Sequence, residues 1–264
     1  MTALRNAARE RLERGELSLG LGLRLARSVD IAKMLKSCDY DWLFIDLEHN
    51  TMSIDTAAQI AVAALDTGIA PLVRVPARQY WMATRMLDGG ALGVVMPHVD
   101  SADEAREVVD HLRYPPAGHR SVAGSLAPLD FKAMKPGEIA AQLNAATLIT
   151  VMVETPQSVE NVDAIAAVPG VDAVLIGTND LAMEMGIPGD FANPRVVAAY
   201  ERVIAACRKH RKFAGMGGVY SEDLMRRFVG MGMRMVLAGG DSGMLMQAAT
   251  QRSGFLRGCL NTAG

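Results

Sequence analysis

WLFIDLEHN, residues 42–50, sets an unbroken apolar run, Trp42 to Ile45, against two acids and an imidazole within the next four positions. A strand exposed on one face alternates apolar and polar side chains. A run that is apolar at every position reads instead as a strand covered on both faces, the pattern of a parallel sheet wrapped in helices. Seven further runs repeat the theme: LGLGLRL (19–25), PLVRV (71–75), LGVVM (92–96), LITVMVE (148–154), DAVLIG (172–177), FAGMGG (213–218) and RMVLAG (234–239). Between them, stretches rich in Ala, Leu, Met and Arg take the helical period over 53–66, 78–88, 101–111, 156–167, 193–210 and 221–230, and a last helix starts near 241. Eight β-α units in 264 residues is the arithmetic of a (β/α)8 TIM barrel, an α/β fold, read here as one domain over residues 1–264. A doubly wound open sheet is the alternative, but no GxGxxG follows the first run. The charged stretch at residues 2–15 reads as an N-terminal helix capped by Thr2 and ended by Gly15. Residues 113–136, rich in Pro and Gly, read as a long functional loop that helps form the pocket.

Composition narrows the partners. Half of the residues are hydrophobic and the formal net charge is −2, so no basic face offers itself to nucleic acid. No run of about 18 uninterrupted apolar residues suggests a membrane span. The N-terminus lacks an apolar signal core. Cys38, Cys207 and Cys259 are distant and odd in number, which fits a reducing, cytoplasmic setting.

In a barrel the C-terminal strand ends converge on one face. Those ends carry Asp46, Glu48 and His49; Arg74; His98; Glu154; Gly177-Thr178-Asn179-Asp180; Gly217-Gly218; and Gly239-Gly240-Asp241. Glu154 and Asp180 would face each other from adjacent strands, where two carboxylates repel unless a proton or cation intervenes. A divalent metal such as Mg²⁺ or Mn²⁺, held by two carboxylates and several waters, fits that need. Helix capping by either acid is the bland alternative, weaker for both together because Glu caps poorly. Asp46 three residues before His49 could accept a ring N–H and leave the other nitrogen as a base. Alone, such a spacing is more often a surface contact. Arg74, inside an apolar strand, must be paired, either with a neighbouring strand's acid or with a substrate anion. Arg120 reads as a solvated loop residue or a second clamp, and His98 as a packing histidine. His111, His119 and His210 read as solvated. None of the six lysines falls at a strand's C-terminal end, which argues against Schiff-base chemistry.

DWLFIDLEH (41–49), PLVRVP (71–76), RYPPAGHRS (113–121), VMVET (151–155) and IGTNDLAMEMG (176–186) closely resemble the HpcH/HpaI aldolase family. Its members are metal-dependent class II pyruvate aldolases, typified by 4-hydroxy-2-oxoheptanedioate aldolase. The resemblance runs in order over about residues 17 to 250. It implies a (β/α)8 barrel, a divalent cation (Mg²⁺, Mn²⁺ or Co²⁺) on Glu154 and Asp180, and His49, oriented by Asp46, as acid/base. It also implies Arg74 on the pyruvate part and Gly177, Thr178 and Asn179 along the pyruvate site. Members are commonly homohexamers, trimers of dimers that exchange the last helix, which gives the helix after 241 a partner subunit. Two departures stand out: Met152 where well-known members carry Gln, and Thr178-Asn179 where they carry Pro-Ala or Pro-Ser.

The expected reaction is reversible aldol cleavage of a 4-hydroxy-2-oxo acid to pyruvate (or hydroxypyruvate) and an aldehyde. Cation and Arg74 would stabilise the enolate, and His49 would move the hydroxyl proton. The alternatives are an acyl-CoA/citrate-lyase-type C–C lyase or an oxaloacetate decarboxylase on the same metal enolate, and a non-catalytic barrel that binds an oxo-acid. The first would want a basic CoA-phosphate groove, for which the sequence offers only Arg226-Arg227 on a helix.

Overall fold

The computed structural model describes residues 4–259. Eight parallel strands close a barrel in sequence order: β1 (Ser18–Leu23), β2 (Trp42–Asp46), β3 (Ala70–Arg74), β4 (Gly93–Met96), β5 (Leu148–Val153), β6 (Ala173–Gly177), β7 (Phe213–Gly217) and β8 (Met235–Gly240), with β8 pairing back onto β1. Each apolar run of the sequence coincides with one strand. The helices are α1 (Ala7–Glu13), α2 (Asp30–Ser37), α3 (Ile54–Thr67), α4 (Tyr80–Asp88), α5 (Ala102–Leu112), α6 (Pro136–Ala146), α7 (Pro156–Glu160), α8 (Val162–Ala166), α9 (Thr178–Glu184), α10 (Pro194–His210), α11 (Glu222–Met231) and α12 (Asp241–Gly258).

The strands are apolar throughout because alternate residues serve two cores. Trp42 and Phe44 of β2, Ala70 and Leu72 of β3, Leu148 and Met152 of β5, and Ala173 and Leu175 of β6 fill the barrel interior. Leu43, Ile45, Val73, Ile149, Val151, Val153, Val174 and Ile176 face the surrounding helices. The interior is packed tightly enough to demand a glycine: a Cβ on Gly20 would lie 2.5 Å or less from the Trp42 indole. Ala8 and Leu12 of α1 close the foot of the barrel.

Several local expectations shift. Thr2 lies outside the described residues, and α1 is capped by Asn6, whose Oδ1 accepts the Arg9 N–H at 3.2 Å. The helix expected over 156–167 breaks at Asn161, whose side chain donates to the Asp100 carbonyl at 2.8 Å. The 113–136 segment connects α5 to β5, so it lies at the foot, not at the catalytic rim. Tyr114, Leu126 and Leu129 there pack on Ile139 and Leu143 of α6 in a small core of their own. Arg120 is neither solvated nor a clamp: it is buried over the Tyr114 ring, 4.6 Å from its centroid, and donates to Asp88 at 2.6 Å. Among the described residues no helix is long and apolar enough to cross a membrane.

Candidate active site

The same alternation that fills the barrel builds its rim. The inward position after Trp42 and Phe44 is Asp46; after Ala70 and Leu72 it is Arg74; after Leu148 and Met152 it is Glu154; after Ala173 and Leu175 it is Gly177. A cavity of about 200 Å³ opens above them, lined among others by Arg24, His49, Arg74, Met152, Gly177, Thr178, Asn179, Asp180 and Tyr220. Asp46 is wholly buried beneath it and Glu154 is 1% exposed.

On the β2–β3 side the charges are paired. Asp46 and Arg74 are direct register partners. Arg74 donates from Nε to Asp46 Oδ1 at 3.0 Å and from Nη2 to Oδ2 at 2.7 Å, the bidentate geometry of a strong guanidinium–carboxylate pair. Its Nη1 meets Glu48 Oε2 at 3.1 Å, and its face lies 5.0 Å from the Phe44 ring centroid. These contacts use three of five N–H donors and leave two for a ligand. Asp46 also accepts Arg24 Nε at 3.1 Å and the backbone N–H groups of Glu48 (3.1 Å) and His49 (3.2 Å). Burial pushes the Asp46 carboxyl up, but the Arg74 hydrogen bonds and charge, with the two N–H groups, outweigh it and hold it below the usual range. Burial likewise disfavours the Arg74 charge, and Asp46, helped by the Glu48 and Glu154 charges, more than compensates.

This pairing corrects one expectation. Asp46 does not accept the His49 ring N–H; it holds the His49 main chain. Two guanidinia at 2.7–3.1 Å take its oxygens, and a charged donor displaces a neutral imidazole from a buried carboxylate. The His49 ring is half exposed, with Nε2 3.7 Å from Glu48 Oε2.

On the β5–β6 side, among the described residues, neither Glu154 nor Asp180 pairs with an arginine or lysine. Glu154 is not a helix cap: Thr155 caps α7 in a capping box with Ser158. Nor does Asp180 cap α9, since Gly177 occupies that position. Glu154 Oε2 accepts the His98 N–H at 2.8 Å, delivered by a left-handed backbone at His98 (φ 53°), and the His98 ring lies 3.6 Å away. Glu154 Oε1 is buried and has no hydrogen-bond partner among the described residues. Burial pushes this carboxyl up to about 7; the His98 N–H and ring pull it down and the Asp180 charge pushes it further up. Glycine at 177 makes room for it, because a Cβ there would lie 2.7 Å from Glu154 Cγ and closer still to Oε1. A buried carboxyl with one oxygen unpaired, its charge disfavoured by burial and by a second acid, fits a hard divalent cation. Among the described residues no three His, Cys, Asp or Glu side chains group together as a metal site, so a cation here would take only the two carboxylates and complete its shell with water.

Other residues take structural roles. The Thr178 hydroxyl is buried, donating to the Gly217 carbonyl at 2.8 Å and bonded to the Tyr200 hydroxyl at 2.7 Å, so only its backbone is free to meet a ligand. Among the described residues no lysine lines the cavity. His119 pairs with Asp110, His210 with Asp163, and His111 stacks on Tyr80. A larger hollow of about 1030 Å³ at the foot, lined by Ile69, Leu92 and Phe131 among others, carries exposed ion pairs such as Arg5–Glu10 and gathers no acid–base set. Arg24 was missed in the sequence although a signal was present: it is the inward position after Gly20 and Gly22.

The chain is 38% identical over 258 residues to a 4-hydroxy-4-methyl-2-oxoglutarate aldolase of Hapsidospora irregularis, covering 96% of each protein. It is 35% identical to a hydroxypyruvate/pyruvate aldolase of Pseudomonas aeruginosa, over 96% of this chain and 93% of that one. Its fold superposes on the crystal structure of an HpcH/HpaI aldolase from Desulfitobacterium hafniense with a TM-score of 0.89 at 31% identity, over 94% and 96% of the two chains. Residues 24–248 match the family described as HpcH/HpaI aldolase/citrate lyase, and the chain belongs to that family.

Proposed function

We propose that the protein catalyses reversible aldol cleavage of 4-hydroxy-2-oxo acids to pyruvate (or hydroxypyruvate) and a carbonyl product, using Mg²⁺, Mn²⁺ or Co²⁺ held by Glu154 and Asp180. The observation that carries this reading is the buried Glu154 oxygen without a partner among the described residues, under the charge of Asp180, which lines a cavity with Arg74 and His49. The relatives named as aldolases of such acids support it. When bound, the cation supplies Lewis-acid charge next to the electrons released by C–C cleavage. Arg74, with two N–H donors to spare and its position locked by Asp46, holds the oxo-acid end and the charge that develops there. The His49 imidazole, at the cavity edge, takes the 4-hydroxyl proton in cleavage and returns it in addition. Asp46 acts by fixing Arg74 and the His49 backbone. Phe44, Met152, Leu175 and Leu237 give the cavity an apolar wall that limits water around the reacting carbon.

The same reading includes a homo-oligomer that exchanges α12. Residues 243–259 are all exposed, Leu245, Met246, Phe255 and Leu256 among them at 57–66%. Ala238 of β8, on the outer face of the strand, stays partly open where a last helix would pack. A partner's α12 would cover both surfaces.

The test is pyruvate release from 4-hydroxy-2-oxoglutarate. Chelation should abolish it and Mg²⁺, Mn²⁺ or Co²⁺ should restore it, while borohydride with pyruvate should leave the enzyme active. Full turnover in rigorously demetallated protein, or inactivation by borohydride, would overturn the proposal.

A further inference from the structure

The β1 exit carries a guanidinium that the reaction described above does not use. Arg24 follows Leu23, the last residue of β1, and enters the rim between β8 and β2. Its backbone is anchored by an acid far away in sequence. The Asp241 carboxylate, at the start of α12, accepts the N–H groups of Arg24 (3.0 and 3.1 Å to its two oxygens), Leu25 (2.8 Å), Ala26 (2.8 Å) and Ser242 (2.7 Å). The side chain is anchored as well, through Nε to Asp46 Oδ2 at 3.1 Å. Its two terminal nitrogens have no protein partner among the described residues, yet the side chain is 51% exposed and lines the cavity with His49, Arg74 and Asp180.

A guanidinium held at its root and at Nε, with its fork free, is preorganised for a carboxylate. Its charge is only partly matched, because Asp46 is shared with Arg74, which engages both oxygens of that acid. The two arginines stand at different depths on one carboxylate. Arg74 is 5% exposed at the floor and Arg24 is half exposed nearer the mouth. That arrangement suits a ligand with an anion at each end.

We propose that Arg24, positioned by Asp241, is a specificity-determining residue that binds a carboxylate carried by the leaving carbonyl fragment. This rests on the aldol reading and narrows its substrate class. In the addition direction, the pyruvate methyl carbon would bond to the aldehyde carbon of glyoxylate. The methyl proton would be lost and the aldehyde oxygen would gain one, giving 4-hydroxy-2-oxoglutarate.

The experiment compares two acceptors of equal length, glyoxylate and glycolaldehyde, in metal-loaded enzyme with saturating pyruvate. Wild type should prefer glyoxylate by more than about tenfold in kcat/KM, the worth of a charged hydrogen-bonded pair. Arg24→Gln should cut that ratio about tenfold or more, mainly through the acceptor KM, and Arg24→Lys should retain part of it. Asp241→Asn should lower the ratio in the same direction. A wild type without preference, or an Arg24→Gln that slows both acceptors alike, overturns the proposal; the wild-type ratio decides it even if a variant fails to fold. Exchange of the pyruvate methyl protons in D2O, measured on wild type without acceptor, separates the two readings. No exchange sinks the aldol reading itself; exchange without a carboxylate preference sinks only the role of Arg24.

Discussion

The two sides of the barrel rim hold their acids in opposite states. Around β2 and β3, Asp46 is served by two guanidinia and two backbone N–H groups and sits below its usual titration range. Around β5 and β6, Glu154 is as deeply buried but keeps an oxygen without a partner, and burial lifts its carboxyl to about 7. Burial alone therefore does not decide how an acid behaves; what matters is how many charged donors reach it. The first side is complete as folded and presents leftover N–H groups. The second is incomplete without a cation or a proton. A catalytic rim needs both kinds: a fixed clamp, and a carboxylate whose charge a ligand can satisfy.

The comparison breaks first on Glu154→Gln. Turnover should fall by at least about 10³-fold, since the missing ligand removes several kcal/mol of charge stabilisation. Yet the chelated variant should melt no lower than chelated wild type, because an isosteric amide removes a buried charge that lacks a cationic side chain in hydrogen bond with it, while the amide oxygen can still accept the His98 N–H. Calorimetry in chelator, beside a turnover assay, checks both. Arg74→Ala should do the reverse to the fold: it strands Asp46, which is 0% exposed, and breaking such a pair costs about 3 kcal/mol, the lower end of the range because Arg24 and two N–H groups remain. Activity should vanish as well. An Arg74→Ala as stable as wild type would show that the β2–β3 network does not carry the weight assigned to it.

The pH dependence sharpens the same contrast. Glu154 titrates higher in the folded chain, at about 7, than the ordinary value near 4.5. The folded state therefore binds the extra proton, and in chelator its stability should fall as pH rises from about 4.5 through about 7, then level off. The full drop is at most roughly 3 kcal/mol. Asp46 has the opposite sign: its contribution is present above the ordinary Asp range and is lost only as pH falls through its lowered value. Melting curves in chelator at pH 5, 6, 7 and 8 should decline, and excess Mn²⁺ should reverse the decline at pH 8. A flat profile would mean that Glu154 is already satisfied.

Much of this was legible in the sequence, because the barrel repeats two signals. Eight apolar runs mark the strands, and the period of two within each names the inward residue that comes last: Asp46, Arg74, Glu154 and Gly177. Partner choice was not legible. Asp46 three residues before His49 looks like an acid holding a ring, but strand register places it directly opposite Arg74, and register is a property of two strands together. Arg24 was visible on the inward series of β1, but its anchor, Asp241, is 217 residues away. The face on which the 113–136 segment lies follows from chain order alone, since a helix-to-strand connection returns to the foot; its irregular composition drew attention to the wrong face. The left-handed turn at His98 leaves only a weak residue-type signal, because histidine tolerates that conformation better than most residues but seldom takes it.

The smallest effect separates two neighbouring inward glycines. Gly177 and Gly217 are register partners on β6 and β7. A Cβ on Gly177 meets the Glu154 side chain at 2.7 Å or less, whereas one on Gly217 approaches only leucine side chains, Leu237 at 3.3 Å and Leu175 at 3.8 Å. Gly177→Ala must therefore move the carboxylate, and cation affinity should weaken by about tenfold, roughly 1.4 kcal/mol. Gly217→Ala should change it by less than about twofold, since a leucine methyl can shift a few tenths of an ångström without loss. Titration calorimetry with Mn²⁺ measures both. Equal affinities in the two variants would mean that Glu154 does not sit where the cation binds, and the contrast between the two sides of the rim would lose its functional meaning.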